Sequence, residues 1–124
     1  QQKEPEDFVI ATGISETVRK FVEKSAETLN WNLSKGEPAI IWEGEGINEI
    51  GKRSDTNQIV IRIDKKYFRP TDVDILIGDS SKALEKLNWK PKINLDQLIE
   101  EMISADLEEA KAEYELMKIK NLVN

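Results

Sequence analysis

The spacing of apolar residues predicts two strands and one helix in the first part of the chain. Residues 8–11 form an unbroken apolar run that ends at Thr12-Gly13, which predicts a strand buried on both faces. Ser15 can serve as an N-cap, and the apolar residues after it recur at helical intervals. We therefore predict an amphipathic helix over residues 15–30. A second apolar run at residues 39–42 predicts a second strand.

The middle of the chain predicts a loop and then a strand that ends at a corner. Gly44-Glu-Gly46 indicates a turn, and residues 51–58 are polar without a periodic apolar signal, which predicts an exposed loop. From residue 59 to residue 63, isoleucines alternate with other side chains, so we predict a strand. This strand would lead directly into the sequence Tyr67-Phe-Arg-Pro70.

The last part of the chain predicts two helices. Asp79 can cap a short helix that Asn88 ends, and Asn94 with Gln97 has the spacing of a capping box. A long terminal helix, which we expect to fray beyond Tyr114, should follow this box. Its apolar stripe consists of Leu95, Leu98, Ile99, Met102, Ile103, Ala110, Tyr114 and Met117.

These elements predict an α+β fold in which a small mixed sheet packs with an amphipathic helix and a long C-terminal helix. The chain has 124 residues, of which 39% are hydrophobic, so one domain over residues 1–124 can bury a core. No repeat or linker-like tract marks an internal boundary.

Composition excludes several classes of function. The net charge is −6, and no basic stripe alternates with aromatic residues, so we expect no nucleic acid partner. The chain contains neither Cys nor His, which excludes disulfides, Cys-ligated zinc, and Ser-His-Asp or Cys-His catalysis within it. Apolar runs are too short for a membrane span or a signal peptide, so we expect no membrane and a cytoplasmic location.

The corner at residues 67–74 carries the candidate chemistry. Pro70 biases Arg69 towards an extended backbone, and a guanidinium held outward can bind phosphate oxygens two at a time. Asp72 could accept hydrogen bonds from the vicinal hydroxyls of a ribose. The simpler alternative is a surface ion pair between Arg69 and Asp72 or Asp74.

Several motifs keep the order that they have in a known family. The motifs are Pro5-Glu-Asp-Phe-Val-Ile-Ala-Thr-Gly13, Thr17-Val-Arg-Lys-Phe21, Tyr67-Phe-Arg-Pro70, Gly78-Asp79, Ser81-Lys-Ala83 and Leu87-Asn-Trp-Lys-Pro91. Together they resemble the GDP-mannose 4,6-dehydratase family of extended short-chain dehydrogenase/reductases. The resemblance covers nearly all of the chain. The Ser-Lys-Ala and Leu-x-Trp-x-Pro motifs taken alone are similar to many other sugar-nucleotide enzymes of this superfamily.

The resemblance implies the carboxyl-terminal substrate domain of a lyase that binds GDP-mannose. In this family Arg69 would hold the diphosphate, and Asp72, where Glu is commoner, would hold the ribose. The complete enzyme would use NADP to oxidise the sugar at C4, eliminate water across C5 and C6, and return the hydride. Its product, GDP-4-keto-6-deoxymannose, would supply deoxysugar biosynthesis. We expect the Rossmann portion to be absent here, with no catalytic, cofactor-binding or metal-binding residue in this chain and no NADP bound to it.

Three other features are not assigned to the site. Arg19 matches the family pattern but has Glu16 and Glu23 nearby in the same predicted helix, so a surface ion pair is as good an explanation as a ligand contact. Tyr114 and Lys118 have the Tyr-x-x-x-Lys spacing of the superfamily's catalytic pair, but they fall in the terminal helix. The tryptophans are most simply packing residues.

Two further hypotheses come from different classes. The chain could be a stand-alone binding or assembly module that has kept the fold without catalysis. Alternatively, the apolar run at residues 8–11 and the long terminal helix could pack against a second copy, which predicts a homo-oligomer.

Overall fold

The computed structural model describes residues 3–69 and 75–122 and confirms the α+β class. In chain order the elements are helix α1 (Val18–Thr28), strand β1 (Ile40–Glu43), a 3-10 turn (Gly46–Asn48), strands β2 (Ile50–Arg53) and β3 (Ile59–Arg62), and helices α2 (Ser81–Leu87) and α3 (Leu95–Leu122). Within these described residues, no helix combines the length and apolar character that crossing a bilayer requires.

The sheet has three strands in the order β1-β2-β3, and both pairs are antiparallel, whereas the sequence predicted a mixed sheet. The loop predicted at residues 51–58 is wrong for residues 51–53, because these residues belong to β2, the central strand. Gly51 lies opposite Trp42 on one side and Ile61 on the other. A Cβ atom on Gly51 would approach the Ile61 Cδ1 atom to 2.9 Å, so the strand needs glycine where a pattern search looks for an apolar residue.

The predicted strand at residues 8–11 is also wrong, because this segment joins no sheet in the described part of the chain. Val9 and Ile10 are both more than half exposed. An unbroken apolar run indicates burial, but a strand forms only where another strand completes its hydrogen bonds.

Helix α1 begins later than predicted. Its N-cap is Thr17 instead of Ser15, and the Thr17 hydroxyl accepts a hydrogen bond from the backbone N–H of Lys20 at 3.1 Å. The helix buries Ala26 against Ala39 and Ile40, with partly buried residues packed around them: Val22, Trp31, Trp42 and Ile61. The core thus joins α1 to the sheet.

The predicted end of α2 and the predicted start of α3 are confirmed. Asn88 ends α2 in the left-handed conformation, with φ of 53°. The backbone N–H of Asn94 donates to the Gln97 side chain at 3.0 Å, and the N–H of Gln97 donates to the Asn94 side chain at 2.9 Å, as a capping box requires. Helix α3 packs its first half on α1 and remains helical to Leu122, past the predicted fraying point at Tyr114.

An ion-pair cluster attaches the N-terminal segment to α2. The Glu6 carboxylate accepts hydrogen bonds from Lys86 at 2.7 Å and pairs with Lys82 at 2.9 Å, and these contacts lower the pKa of Glu6, with Lys86 the larger cause. The Lys82 ammonium also donates to the Asp7 carbonyl at 2.9 Å. These contacts hold residues 6 and 7 against α2.

This cluster predicts that the stability of the folded chain depends on pH. A single substitution at Glu6 should remove this contribution. Because the pKa of Glu6 is lower in the folded chain, its stabilising contribution is present above the unfolded value of 4.5 and is lost as the pH falls through the folded value. Glu6→Gln should therefore lower Tm slightly at pH 7, by the small amount typical of an exposed ion pair. The difference in Tm between Glu6→Gln and the parent chain should shrink in thermal melts at decreasing pH. A difference in Tm that grows on acidification would contradict this prediction.

Candidate functional site

The candidate site lies where the chain leaves β3 and turns. The Asp64 carbonyl accepts a hydrogen bond from the backbone N–H of Tyr67 at 3.0 Å, and the Asp64 carboxylate accepts one from the N–H of Lys66 at 2.9 Å. Aspartate favours such turns because its side chain bonds the backbone two residues on. The turn is thus fixed next to the sheet, and the residues after it, Phe68 and Arg69, lie at the surface.

Arg69, the first predicted site residue, is exposed at the end of this turn. Among residues 3–69 and 75–122, no side chain or backbone group forms a hydrogen bond or ion pair with its guanidinium. Asp72, the second predicted site residue, and Asp74, the alternative ion-pair partner, lie outside the described residues. The pairing of Arg69 with either carboxylate stays a prediction.

The described side of the corner combines cations with exposed rings. Tyr67 is 72% exposed, and the Lys66 ammonium lies 5.3 Å from the centre of its ring. Lys65 and Phe68 are exposed beside them. Cationic groups attract phosphate and aromatic faces can stack on flat rings, so the composition of this surface suits a nucleotide.

The Gly78-Asp79 motif has a structural explanation. A Cβ atom on Gly78 would lie 2.6 Å from the Cβ of Ala11, so residues 8–11 and 75–78 lie side by side and leave no room for a side chain at position 78. The Asp79 carboxylate accepts hydrogen bonds from the hydroxyl of Ser81 at 2.5 Å and from its backbone N–H at 2.9 Å, which lowers the pKa of Asp79. Asp79 therefore starts α2, as predicted, although Ser80 is the formal N-cap residue.

Arg19 joins α1 to the β1–β2 hairpin. Its guanidinium donates to the Glu49 carboxylate at 2.5 Å and lies 4.2 Å from the centre of the Trp42 ring. The Trp42 indole N–H donates to Glu23 at 2.8 Å. A surface ion pair was one of the two predicted explanations of Arg19, but Glu49 was missed because thirty positions separate the two residues.

The other unassigned residues also have contacts within the chain. The Arg53 guanidinium lies 4.3 Å from the centre of the Trp31 ring and binds Asp55 at 2.6 and 2.9 Å, which lowers the pKa of Asp55. Trp89 is half-buried after α2. Tyr114 and Lys118 lie on the exposed second half of α3, with the ammonium 4.3 Å from the centre of the ring.

A groove of about 650 Å³ lies between the beginnings of α1 and α3, and sequence reasoning missed it. The lysines on its wall include Lys20, which pairs with Glu16, and Lys24, which pairs with Asp96. Their charges are therefore compensated inside the chain. None of the groove residues belongs to the Arg69 corner, so the groove does not extend the candidate site.

The Gly44-Glu-Gly46 loop does not fit a dinucleotide. A dinucleotide fingerprint joins a strand to a helix whose first turn meets the pyrophosphate. Here Gly44-Glu-Gly46 joins the antiparallel strands β1 and β2, which confirms that it is a turn. Across residues 3–69 and 75–122, acidic side chains nowhere gather in a group of three that could hold a metal ion.

Comparison with known proteins adds the family. Residues 1–102 match the sequence model of the family described as GDP-mannose 4,6 dehydratase. The chain is 51% identical over 108 residues to GDP-mannose 4,6 dehydratase of Cricetulus griseus and 50% identical over 108 residues to that of Homo sapiens. Each alignment covers 87% of this chain and 27% of the relative.

A bacterial relative gives a similar result. The chain is 41% identical over 121 residues to GDP-mannose 4,6-dehydratase of Yersinia enterocolitica, with 90% of this chain and 31% of the relative covered. The chain thus spans between a quarter and a third of the length of these curated relatives.

Proposed function

We propose, because the chain belongs to the GDP-mannose 4,6-dehydratase family, that it forms the carboxyl-terminal, nucleotide-sugar-binding part of such an enzyme. In this proposal Arg69 holds the diphosphate of GDP-mannose and Asp72 accepts hydrogen bonds from the ribose. The reacting groups belong to the Rossmann portion of the enzyme, and this chain alone is inactive.

The exposed guanidinium of Arg69 is the observation that carries the proposal. It lies beside a turn fixed by Asp64, and none of the ion pairs in the described part of the chain uses it. Hydrogen bonds to charged groups contribute about 1.5–3 kcal/mol each, so one guanidinium can account for much of the affinity for a diphosphate.

Exposed apolar residues support contact with the Rossmann portion. The two segments that meet at Gly78 expose more than half of each of the following side chains: Val9, Ile10, Ile75, Leu76 and Ile77. Leu76 alone is 80% exposed. Large contiguous apolar surfaces are uncommon on separate domains, so we propose that another part of the enzyme covers this one.

The parent enzyme in this proposal is a cytoplasmic, homo-oligomeric lyase that depends on NADP. NADP supplies hydride transfer when it is bound, and this proposal assigns no step of the reaction to the residues described here. The contribution of this chain is to bind and orient the nucleotide end of the substrate.

A titration followed by NMR tests the role of Arg69. GDP and then GDP-mannose are added to the isotope-labelled chain and to Arg69→Ala, and shifts are followed around residues 67–74. We expect localised shifts in the parent chain. The apparent affinity obtained from them should be about tenfold or more weaker in Arg69→Ala, because the phosphate loses a charged donor. Arg62→Ala removes another exposed arginine near the corner and should leave the affinity unchanged.

Steady-state kinetics of the complete enzyme provide a second readout. Arg69→Ala should raise KM for GDP-mannose by about tenfold or more, whereas Arg62→Ala should not. An unchanged KM in Arg69→Ala would rule out the phosphate contact. If this chain, mixed with a separately expressed Rossmann portion, restores dehydratase activity, the enzyme-part proposal is supported. Failure to form any complex would favour the stand-alone binding module.

A further inference from the structure

The second half of α3 has no packing partner in the described part of the chain. All side chains from residue 104 to residue 120, here called the distal helix, are exposed, whereas Ile99 is buried and Ile103 half-buried. The match to the family's sequence model ends at residue 102, just before the distal helix. At about 1.5 Å per residue it is ~25 Å long, and a helix of this length is marginal on its own in water.

Apolar side chains follow the distal helix with the spacing of a coiled coil. Ile103, Leu107, Ala110, Tyr114 and Met117 are separated alternately by four and three positions. In heptad notation Leu107 and Tyr114 occupy position a, and the other three occupy position d. This stripe, here called the seam, continues the face that packs on α1, because Ile103 lies one turn after Ile99.

Charges beside the seam determine the orientation that two copies could adopt. Asp106 and Glu113 occupy position g, and Lys111 and Lys118 occupy position e. In a parallel, in-register pair each g residue faces the e residue five positions later on the other helix, so Asp106 meets Lys111 and Glu113 meets Lys118. An antiparallel pair would bring lysine against lysine at position e.

We propose that the distal helix pairs with the same helix of a second copy as a parallel, two-stranded coiled coil. None of the ion pairs in the described part of the chain uses Asp106, Lys111 or Glu113. Lys118 pairs with Glu115 at 2.9 Å, but both side chains are at least half exposed, so exchange for Glu113 of the other copy costs little.

A second short apolar stripe on the same helix cannot serve two copies equally well. Ala112, Leu116 and Ile119 lie on the opposite face. They have three acidic neighbours, Glu108, Glu109 and Glu115, and one basic neighbour, Lys120. Two copies joined through this face would bring carboxylates together, which is unfavourable. The seam has opposite charges at its borders and is the better surface for self-association.

The coiled coil specifies one contact of the homo-oligomer in the proposed function and rests on that part of it. It is independent of the Arg69 site, because the coiled coil and the nucleotide site use different residues and are tested by different measurements. The nucleotide titration could fail while the coiled coil forms, and the reverse is equally possible.

Cysteine cross-linking tests the orientation, since the natural chain has no Cys. Leu107→Cys and Met117→Cys should each form a disulfide-linked dimer under mild oxidation, because in a parallel pair each seam residue meets its own counterpart. Leu116→Cys, outside the seam, should cross-link far less. In an antiparallel pair the two seam positions would face each other, so a disulfide would form only when the two variants are mixed. Cross-linking only in the mixture, or no cross-linking at all, would overturn the proposal.

Analytical ultracentrifugation of the full chain tests the seam itself. Met117 and Leu116 are neighbours and each is 59% exposed, so they form a matched pair. Met117→Glu should weaken dimerisation at least about tenfold because it places carboxylates inside the seam. Leu116→Glu should change it less than about twofold. Equal effects of the two substitutions, or a parent chain that stays monomeric at high concentration, would contradict the model of a shared seam.

A charge exchange adds a test that folding defects cannot imitate. Glu113→Lys should weaken dimerisation by roughly tenfold, because two attractive pairs per dimer become repulsive. Adding Lys118→Glu should restore it. Circular dichroism confirms that each variant keeps its helix, and failure of the double substitution to rescue would overturn the parallel register.

Discussion

Replacing Ile99 by alanine is expected to lower the free energy of unfolding by about 3 kcal/mol. Ile99 is 1% exposed and has the largest fully buried side chain in the described part of the chain. Removing three carbons from such a site loses their transfer free energy and leaves a cavity, and comparable substitutions cost about 2–5 kcal/mol. The loss is large beside the total stability of about 5–15 kcal/mol that small domains have.

Leu98 is the matched control for this prediction. It precedes Ile99 in the same helix and has a side chain of the same size, but it is 44% exposed. Leu98→Ala should cost about 1 kcal/mol, since the apolar area that it returns to water is smaller. Urea denaturation of the two variants measures the difference. If both lose the same stability, α3 does not bury Ile99 against the rest of the fold.

The same comparison separates stability from nucleotide contacts. Ile99 contributes to stability through the packing of α3 on α1, whereas Arg69 lies in the turn that follows β3. The NMR shifts expected from GDP at residues 67–74 should therefore persist in Ile99→Ala under conditions where it remains folded. The fold positions the corner, but helix packing and ligand contact are carried by different residues.

Local rules allowed several element boundaries to be predicted. The Asn94-Gln97 capping box and the end of α2 at Asn88 follow from side chain to backbone bonds within a few residues. The β3 strand follows from alternation along a single segment. Such signals are contained in the sequence because the interacting groups are close neighbours in it.

Features that depend on distant partners were not predictable. Strand β2 was missed because Gly51 fits between Trp42 and Ile61, and only the paired strands reveal that need. The apolar run at residues 8–11 forms no strand because no neighbour completes its hydrogen bonds in the described part of the chain. Of the two site residues, the sequence predicted Arg69 at an exposed corner, and Asp72 lies outside the described residues.

Replacing Gly44 by alanine is expected to destabilise the β1–β2 turn by about 3 kcal/mol. Gly44 has a φ of 84°, and left-handed backbone costs an L-residue roughly 1–2 kcal/mol. An added Cβ would also lie 2.5 Å from the backbone carbonyl oxygen of Asn48, so the turn must shift. Overpacking of this kind adds about 1–3 kcal/mol.

Gly46 distinguishes the two causes. It has a φ of 56°, but a Cβ atom there would meet nothing within 4 Å, so Gly46→Ala should cost only about 1 kcal/mol. Thermal and urea unfolding compare the two variants, and equal losses would mean that the close approach to Asn48 has no effect. Because the turn precedes Glu49, the partner of Arg19, Gly44→Ala should also loosen the contact between the hairpin and α1. An Arg19→Ala substitution should then cost less in the Gly44→Ala background than in the parent chain.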